Sequence, residues 1–340
     1  MEFGGNLQFC LLNNRKLYST NYYRGGQQYQ YSNYLINVDS GRSALQYIIE
    51  TFNFKRIWLP VYNCPLVGKR LQDVSNIKVC WYNLNDDFTP MINHLNFQED
   101  DALLWVNYCG VMYQDLVDKI ADCQKLYGVK VIIDNIPAYF SKPRIEVLNI
   151  YSCRKFIGVP DGGHVIGKEV IKKELPTYNT AENYYYLLKA FEQGSNASYE
   201  DYQLSEKRIT EETKAYGMPK LTQKFLESVD YEYVQNTRYD NFQVLHKFLG
   251  ESNRLNNVDF NSKTPSVYPY LTSNKNLRSL LLDNQIYISR FWKNVLTNER
   301  ANSFEKDLAE YLIPLPIDQR YTEDDMITLA HKVIELEKLG

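Results

Sequence analysis

The sequence predicts an α/β fold, in which a large domain built on a mainly parallel sheet with helical crossovers is followed by a smaller C-terminal α+β domain. Three observations carry this expectation. The first half alternates short β-rich runs with helical stripes, as parallel strands joined by helical crossovers require. Two of those runs, VKVIID and VLNIYS, are almost continuously apolar, which suits central strands covered on both faces. After about residue 180 the pattern changes to long polar helices. No Gly/Ser linker, low-complexity tract or internal repeat marks a border, so the division is drawn softly at 1–215 and 216–340.

Each element has its own warrant. From Gly41 the apolar positions Ala44, Leu45, Ile48, Ile49 and Phe52 keep to one helical face, and RIWLP follows as a strand. KVCWY reads as the next strand and DALLWVNY as a longer one. A helix over 114–127 carries Leu116, Ile120, Cys123 and Tyr127 on one stripe and stops at Gly128, which suits the left-handed conformation that ends helices. VKVIID and VLNIYS follow as strands. Helices are expected over 181–193, 199–215 and from about 230 to 249, then strands in SVYPYL and IYISRF. The final helix opens at Thr322, with Asp325 three residues on as in a capping box.

Composition narrows the function. With 44% hydrophobic and 23% charged residues over 340, and a net charge of -3, the chain has no basic excess to neutralise a phosphate backbone, so nucleic acid is excluded as a partner. No apolar run reaches the roughly 20 residues that span a bilayer, and MEFGGNLQFC lacks the basic and apolar regions of a signal peptide. A cytoplasmic protein without a membrane partner is expected. Cys10, Cys64, Cys80, Cys109, Cys123 and Cys153 show no C-x-x-C spacing and no nearby histidine pair, so no metal site is expected and the thiols read mostly as small buried hydrophobes.

Ligands of open α/β sheets sit at the carboxyl ends of the strands, and four polar places fall there. Ser40 and Gly41 precede a helix whose free N–H groups would hold an anion, or Ser40 is a plain N-cap. Asp134 ends a buried strand, where it serves a ligand or caps a helix. Ser152 ends the next strand and could simply close a turn. Lys155 lies three residues later, where lysines are mostly solvated. Together they supply an anion cradle, a buried acid, a hydroxyl and an amine at successive strand ends. Pyridoxal 5'-phosphate (PLP) needs that set: a phosphate site, a carboxylate for the pyridine nitrogen and a lysine for the Schiff base.

These segments, in this order, resemble the DegT/DnrJ/StrS family of PLP-dependent sugar aminotransferases of fold type I. NVDSGRSALQYII is similar to the family's phosphate-binding S-G-T-A-A-L segment, IWLPVYNCPLV to its P-x-x-T turn and VNYCGV to its h-x-x-G turn. VIIDNIPAYF is similar to its D-x-A-Q/H segment, YSCRKFIGVPDGGHVIG to its Schiff-base lysine segment, and YLIPLPIDQRYTEDDM to its closing stretch. The resemblance implies that Lys155 is the catalytic Schiff-base lysine and Asp134 the partner of the pyridine nitrogen. It implies phosphate contacts from Ser152, the backbone of Gly41 and Arg42, and the side chain of Ser43. The residue stacking on the ring would come from the turn after IWLP, with Tyr62 the candidate in competition with Asn63 and Cys64. It further implies a homodimer, a keto-sugar or nucleotide-sugar substrate and an amino-acid donor. The sequence departs from the pattern at Arg42, at Pro137, and at Met218, where YGMPKLT lacks the family's phosphate-reaching asparagine. A PLP-dependent sugar dehydratase, or a non-catalytic binding protein on the same fold, stays open beside the aminotransferase. Arg238, Arg290 and Trp292 read as salt-bridge or packing residues as readily as substrate contacts.

Overall fold

The computed structural model describes residues 3–4, 27–74, 76–171 and 173–339. Its strands are β1 (Phe3–Gly4), β2 (Leu35–Val38), β3 (Arg56–Pro60), β4 (Lys78–Tyr82), β5 (Asp101–Val106), β6 (Lys130–Asp134), β7 (Leu148–Ser152), β8 (Gly163–Ile166), β9 (Tyr268–Leu271), β10 (Ile286–Tyr287) and β11 (Leu312–Leu315). Its α-helices are α1 (Gly41–Phe52), α2 (Pro65–Val74), α3 (Gln114–Tyr127), α4 (Tyr185–Gln193), α5 (Tyr199–Glu211), α6 (Lys220–Glu227), α7 (Tyr231–Leu249), α8 (Leu277–Asp283), α9 (Ser303–Tyr311) and α10 (Glu323–Glu337).

Seven strands make one sheet in the order β2-β8-β7-β6-β5-β3-β4. β8 runs antiparallel to both of its neighbours, and every other adjacent pair is parallel. All residues of β5 and β7 are buried, which is why their sequences are continuous apolar runs. The parallel strands point their carboxyl ends the same way, so Val38, Pro60, Val106, Asp134 and Ser152 fall on one edge of the sheet. Register brings the site closer still, because Gly163 pairs with both Val38 and Ser152. α1 leaves the end of β2 and packs across β7 and β8, so its N-terminus opens beside Ser152.

In the C-terminal part β9 and β11 form an antiparallel pair, and α7 packs on α10 and β9. One apolar core runs from Ile36 in β2 to Leu336 in α10. β1 pairs in parallel with β10.

The elements differ from the sequence reading in definite places. β1, β2, β8, β11, α2, α6, α8 and α9 were not expected. IYISRF pairs only over Ile286–Tyr287, and the 181–193 helix begins as a 3-10 turn over Ala181–Tyr184. The helix expected to reach residue 215 stops at Glu211 because Glu212 turns extended (φ -67°, ψ 125°). The final helix is capped as predicted, with the Thr322 side chain accepting from Asp325 N–H and Asp325 returning the bond. Cys109 and Cys153 are buried, whereas Cys64, Cys80 and Cys123 are half-buried, a correction to the expectation of buried thiols; Cys10 and the MEFGGNLQFC segment lie, apart from Phe3 and Gly4, outside the described residues. Among the described residues no helix is long and apolar enough to cross a membrane.

Candidate active site

The site begins where β2 turns into α1. Ser40 is extended and its Oγ accepts from Ser43 N–H at 3.1 Å, so the N-cap reading of Ser40 holds. Ala44 N–H bonds Ser40 O at 2.9 Å. The N–H groups of Gly41 and Arg42 find no acceptor among the described residues and remain the free donors at the helix's positive end. Ser152, at the end of β7, puts its Cβ 3.7 Å from where a Cβ on Gly41 would stand. Two free backbone donors and a hydroxyl thus converge at one helix N-terminus, a set suited to an anion. The Ser43 hydroxyl is otherwise engaged: it accepts from Ser40 Oγ at 3.1 Å and hydrogen-bonds the buried Asp39 carboxyl. The Arg42 guanidinium donates to Thr210 Oγ1 at 3.1 Å, leaving its main chain to the cradle. Asp39 is pushed up to about 6, chiefly by burial, which its bonds to Ser43 and Ser40 oppose.

One strand over, Asp134 ends β6 with 8% of its surface exposed and accepts from Ile136 N–H at 2.8 Å. Burial pushes its carboxyl up to about 6, against the pull of that N–H and of the Lys155 charge. Lys155 is the counterpart. Its side chain meets solvent, and desolvation by the surrounding protein is the largest influence on its amine. Burial lowers its pKa, the charges of Asp134, Cys64 and Cys109 oppose that, and the adjacent Arg154 adds to it. Solvent exposure moderates the shift but leaves its direction, toward a more nucleophilic amine. Arg154 is held off by an ion pair with Glu206 on α5.

The turn after Lys155 uses its two glycines differently. Gly162 takes φ +105°, and its carbonyl accepts from Cys153 N–H at 3.0 Å. Gly163 already belongs to β8; a Cβ there would lie 2.6 Å from Tyr151 O and 3.0 Å from the Ser40 carbonyl carbon. The close approach of β8 to β7 and to the start of α1 therefore depends on this glycine. Asp161, just before, is buried and accepts from Thr180, Thr222 and Tyr178, which ties the turn to the segments around α4 and α6.

Tyr62, the candidate for stacking on the ring, is packed inside the protein. It is 1% exposed, edge-on to Trp292 (centroids 4.6 Å apart, 76°) and tilted against Tyr108 (5.7 Å), so no face of its ring is open. Asn63 is likewise buried, and Cys64 is the residue of that turn within electrostatic reach of Lys155. Cys109, at φ 54° in the turn after β5, also reaches Lys155; Cys64 was named from the sequence only as a competitor for the stacking place, and Cys109 was not singled out. Ile136 was missed as well: its Cδ1 lies where a Gly41 Cβ would point (2.3 Å), so an apolar side chain lines the cradle. Met218 is 1% exposed and packs in an apolar cluster with Tyr139 and Phe156. Arg290 makes an ion pair with Glu310 at 2.6 Å, and Trp292 is a packing residue. Among the described residues no cluster of His, Cys, Asp or Glu could hold a metal ion.

No protein-family model matches the chain, and no curated protein does. Solved structures do. The PLP form of Spr1654 from Streptococcus pneumoniae, assigned as a sugar aminotransferase, is 12% identical with a TM-score of 0.66, covering 100% of this chain and 99% of its own. The chain shares that fold. DesI, solved in the presence of its TDP-sugar product, is 12% identical with a TM-score of 0.65, over 99% of this chain and 93% of its own. A DegT DnrJ EryC1 StrS aminotransferase from Brucella abortus is 11% identical with a TM-score of 0.61, over 97% and 99%. The expected fold type I architecture is thereby borne out over essentially the whole chain, from a sequence with few identities to any of them.

Proposed function

We propose that the chain is a PLP-dependent aminotransferase of the DegT/DnrJ/StrS kind, which transfers an amino group from an amino acid to a keto-sugar, nucleotide-linked as the TDP-sugar of DesI is. The observation that carries this is the placement of Lys155 within electrostatic reach of Asp134, on the sheet edge where α1 offers its free N–H groups. The residues fit the cofactor: Gly41 N–H, Arg42 N–H and Ser152 Oγ offer unfilled donors for its phosphate, and Ile136 contributes an apolar wall. Among the described residues Asp134 has no hydrogen-bonded cation, which leaves it free to take the pyridine nitrogen. Ser43 is assigned to holding Ser40 and Asp39, and Tyr62 to packing.

Bound PLP supplies an electron sink for the carbanion left when an amino compound loses its α-proton. The protein's part follows from its residues. Lys155 would be the residue that holds the cofactor and, once its amine is free, the base and acid that moves the proton at the α-carbon. Desolvation and the neighbouring Arg154 charge shift that amine toward its neutral, nucleophilic form. Asp134, ionised above about pH 6, keeps the ring nitrogen protonated. The α1 N-terminus and Ser152 fix the phosphate and with it the orientation of the reacting carbon.

The division into 1–215 and 216–340 belongs to the same reading, supported by the confinement of the seven-stranded sheet to the first part and of β9 and β11 to the second. So does a homodimer in the cytoplasm. The experiment is a single turnover: PLP-loaded protein mixed with each candidate amino acid should release about one equivalent of keto acid per site, and a TDP-linked keto-sugar added next should be recovered as the amino sugar by mass spectrometry. Release of water from the sugar without keto acid would move the assignment to dehydration.

A further inference from the structure

Arg238 on α7 is 2% exposed, and its hydrogen-bond acceptors are carbonyl groups rather than a carboxylate. Nη2 donates to Lys155 O at 3.3 Å and to Phe156 O at 3.5 Å, Nη1 to Ser266 O at 3.1 Å, and Nε to Gln319 Oε1 at 3.2 Å. Gln319 turns its amide back to Phe156 O at 2.9 Å. The guanidinium lies over the Phe156 ring, 4.7 Å from its centroid. The charge of Asp318 is nearby, but that carboxylate is bonded to Arg320 at 2.7 and 2.9 Å. Burial lowers the Arg238 pKa to about 10, so it keeps its charge at neutral pH.

Backbone accounting shows what this arginine is for. The N–H groups of Phe156 and Ile157 bond Cys153 O at 3.0 and 2.9 Å, which closes the turn after β7. No backbone N–H among the described residues bonds the carbonyls of Lys155 or Phe156. Those two carbonyls sit outside any ladder and are satisfied by Arg238 and Gln319 instead. On its N-terminal side Lys155 is fixed by the pairing of Ser152 with Gly163. On its C-terminal side it is fixed by a side chain 83 residues away in α7.

We infer that Arg238, seconded by Gln319, is a positioning residue that locks the main chain of Lys155, so that the amine's reactivity depends on the docking of α7 and the 318–320 segment against the Lys155 turn. This rests on Lys155 being the cofactor lysine. The alternative is that Arg238 only glues the two parts of the chain together. The two differ in what a folded variant does to Lys155.

The test uses full-length protein and the variants Arg238→Met and Gln319→Met, with Arg290→Met as a control that removes an unrelated ion pair. In cofactor-free protein, the pH profile of Lys155 acetylation by acetic anhydride and hydrogen exchange across 155–157 are followed by mass spectrometry. In parallel, the rate of PLP capture is measured by borohydride trapping. For Arg238→Met the expected results are at least a tenfold loss of exchange protection across the turn, a shifted acetylation profile for Lys155, and at least tenfold slower capture, with cooperative unfolding retained. Gln319→Met should move the same readouts in the same direction by less, and Arg290→Met should leave them within twofold. A folded Arg238→Met protein whose exchange, acetylation and capture all stay within twofold overturns the inference. If Arg238→Met does not fold, unchanged readouts in Gln319→Met overturn it. Failure of the wild type to trap PLP on Lys155 would count against the proposed function, while exchange and acetylation of the cofactor-free protein still decide the role of Arg238.

Discussion

Replacing Asp134 by Asn tests the electrostatics around Lys155 without any cofactor. Asn keeps an oxygen for Ile136 N–H and removes the charge. The carboxyl's pKa is raised from 3.8 to about 6, with burial the main cause. The folded chain therefore holds a proton that the unfolded chain has lost between those values, and stability falls as pH rises through that window. At 1.36 kcal/mol per pH unit, the gap corresponds to a cost of roughly 3 kcal/mol, fully present above about pH 6 and absent below about 3.8. Asn carries no such cost. Urea unfolding of both proteins at pH 4 and pH 8 should show the variant gaining about 2 to 3 kcal/mol on wild type between the two. Asp39, with a similar shift, is common to both proteins and cancels. In the same variant the pKa of Lys155 should fall further, because Asp134 is the anion that most supports its charge. A stability difference that is the same at both pH values would refute the reasoning, and a Lys155 profile that does not move would place the two groups out of contact.

Other consequences follow from the same geometry. Gly163→Ala forces a Cβ to 2.6 Å from Tyr151 O, a contact with backbone that cannot swing away, and should cost on the order of 3 kcal/mol in urea unfolding. Gly128→Ala, at φ +65° with open space around it, should cost about 1 kcal/mol. Iodoacetamide at pH 8 should modify Cys64 and Cys80, which are half-buried, well before Cys109 and Cys153, both pushed up to about 12 by burial. Rapid labelling of Cys153 in native protein would mean that its contacts with His164 and Tyr139 open in solution.

How far the sequence reaches can be judged residue by residue. Helices α1 and α3 and strands β3 to β7 follow from periodicity and apolar runs because each buries a face that composition alone must supply. β8 escaped because GHVI is four residues long and starts at a glycine that looks like part of a turn; only the 2.6 Å approach to Tyr151 O shows that Gly163 serves a strand. α2 was hidden by Pro65 at its first position, where proline is tolerated, and by Gly68, which packs against Trp81. That Asp134, Ser152 and Lys155 share one sheet edge was legible because strand ends in an open α/β sheet are where polar residues need a reason. Tyr62 was misplaced since a ring facing a ligand and a ring facing Trp292, far along the chain, look alike in sequence. Arg238 was unreadable for the same reason: its partners are carbonyls that no pattern of side chains reveals.

The central claim is that Lys155 carries PLP, and it meets its most direct test in the borohydride-reduced protein. After mixing with PLP and reduction, peptide mapping by mass spectrometry should place one pyridoxyl group on Lys155, and Lys155→Ala should lose both the adduct and the visible absorbance band with its fold intact. An adduct on Lys142 or Lys168 instead, or none in the presence of excess PLP, would contradict the account.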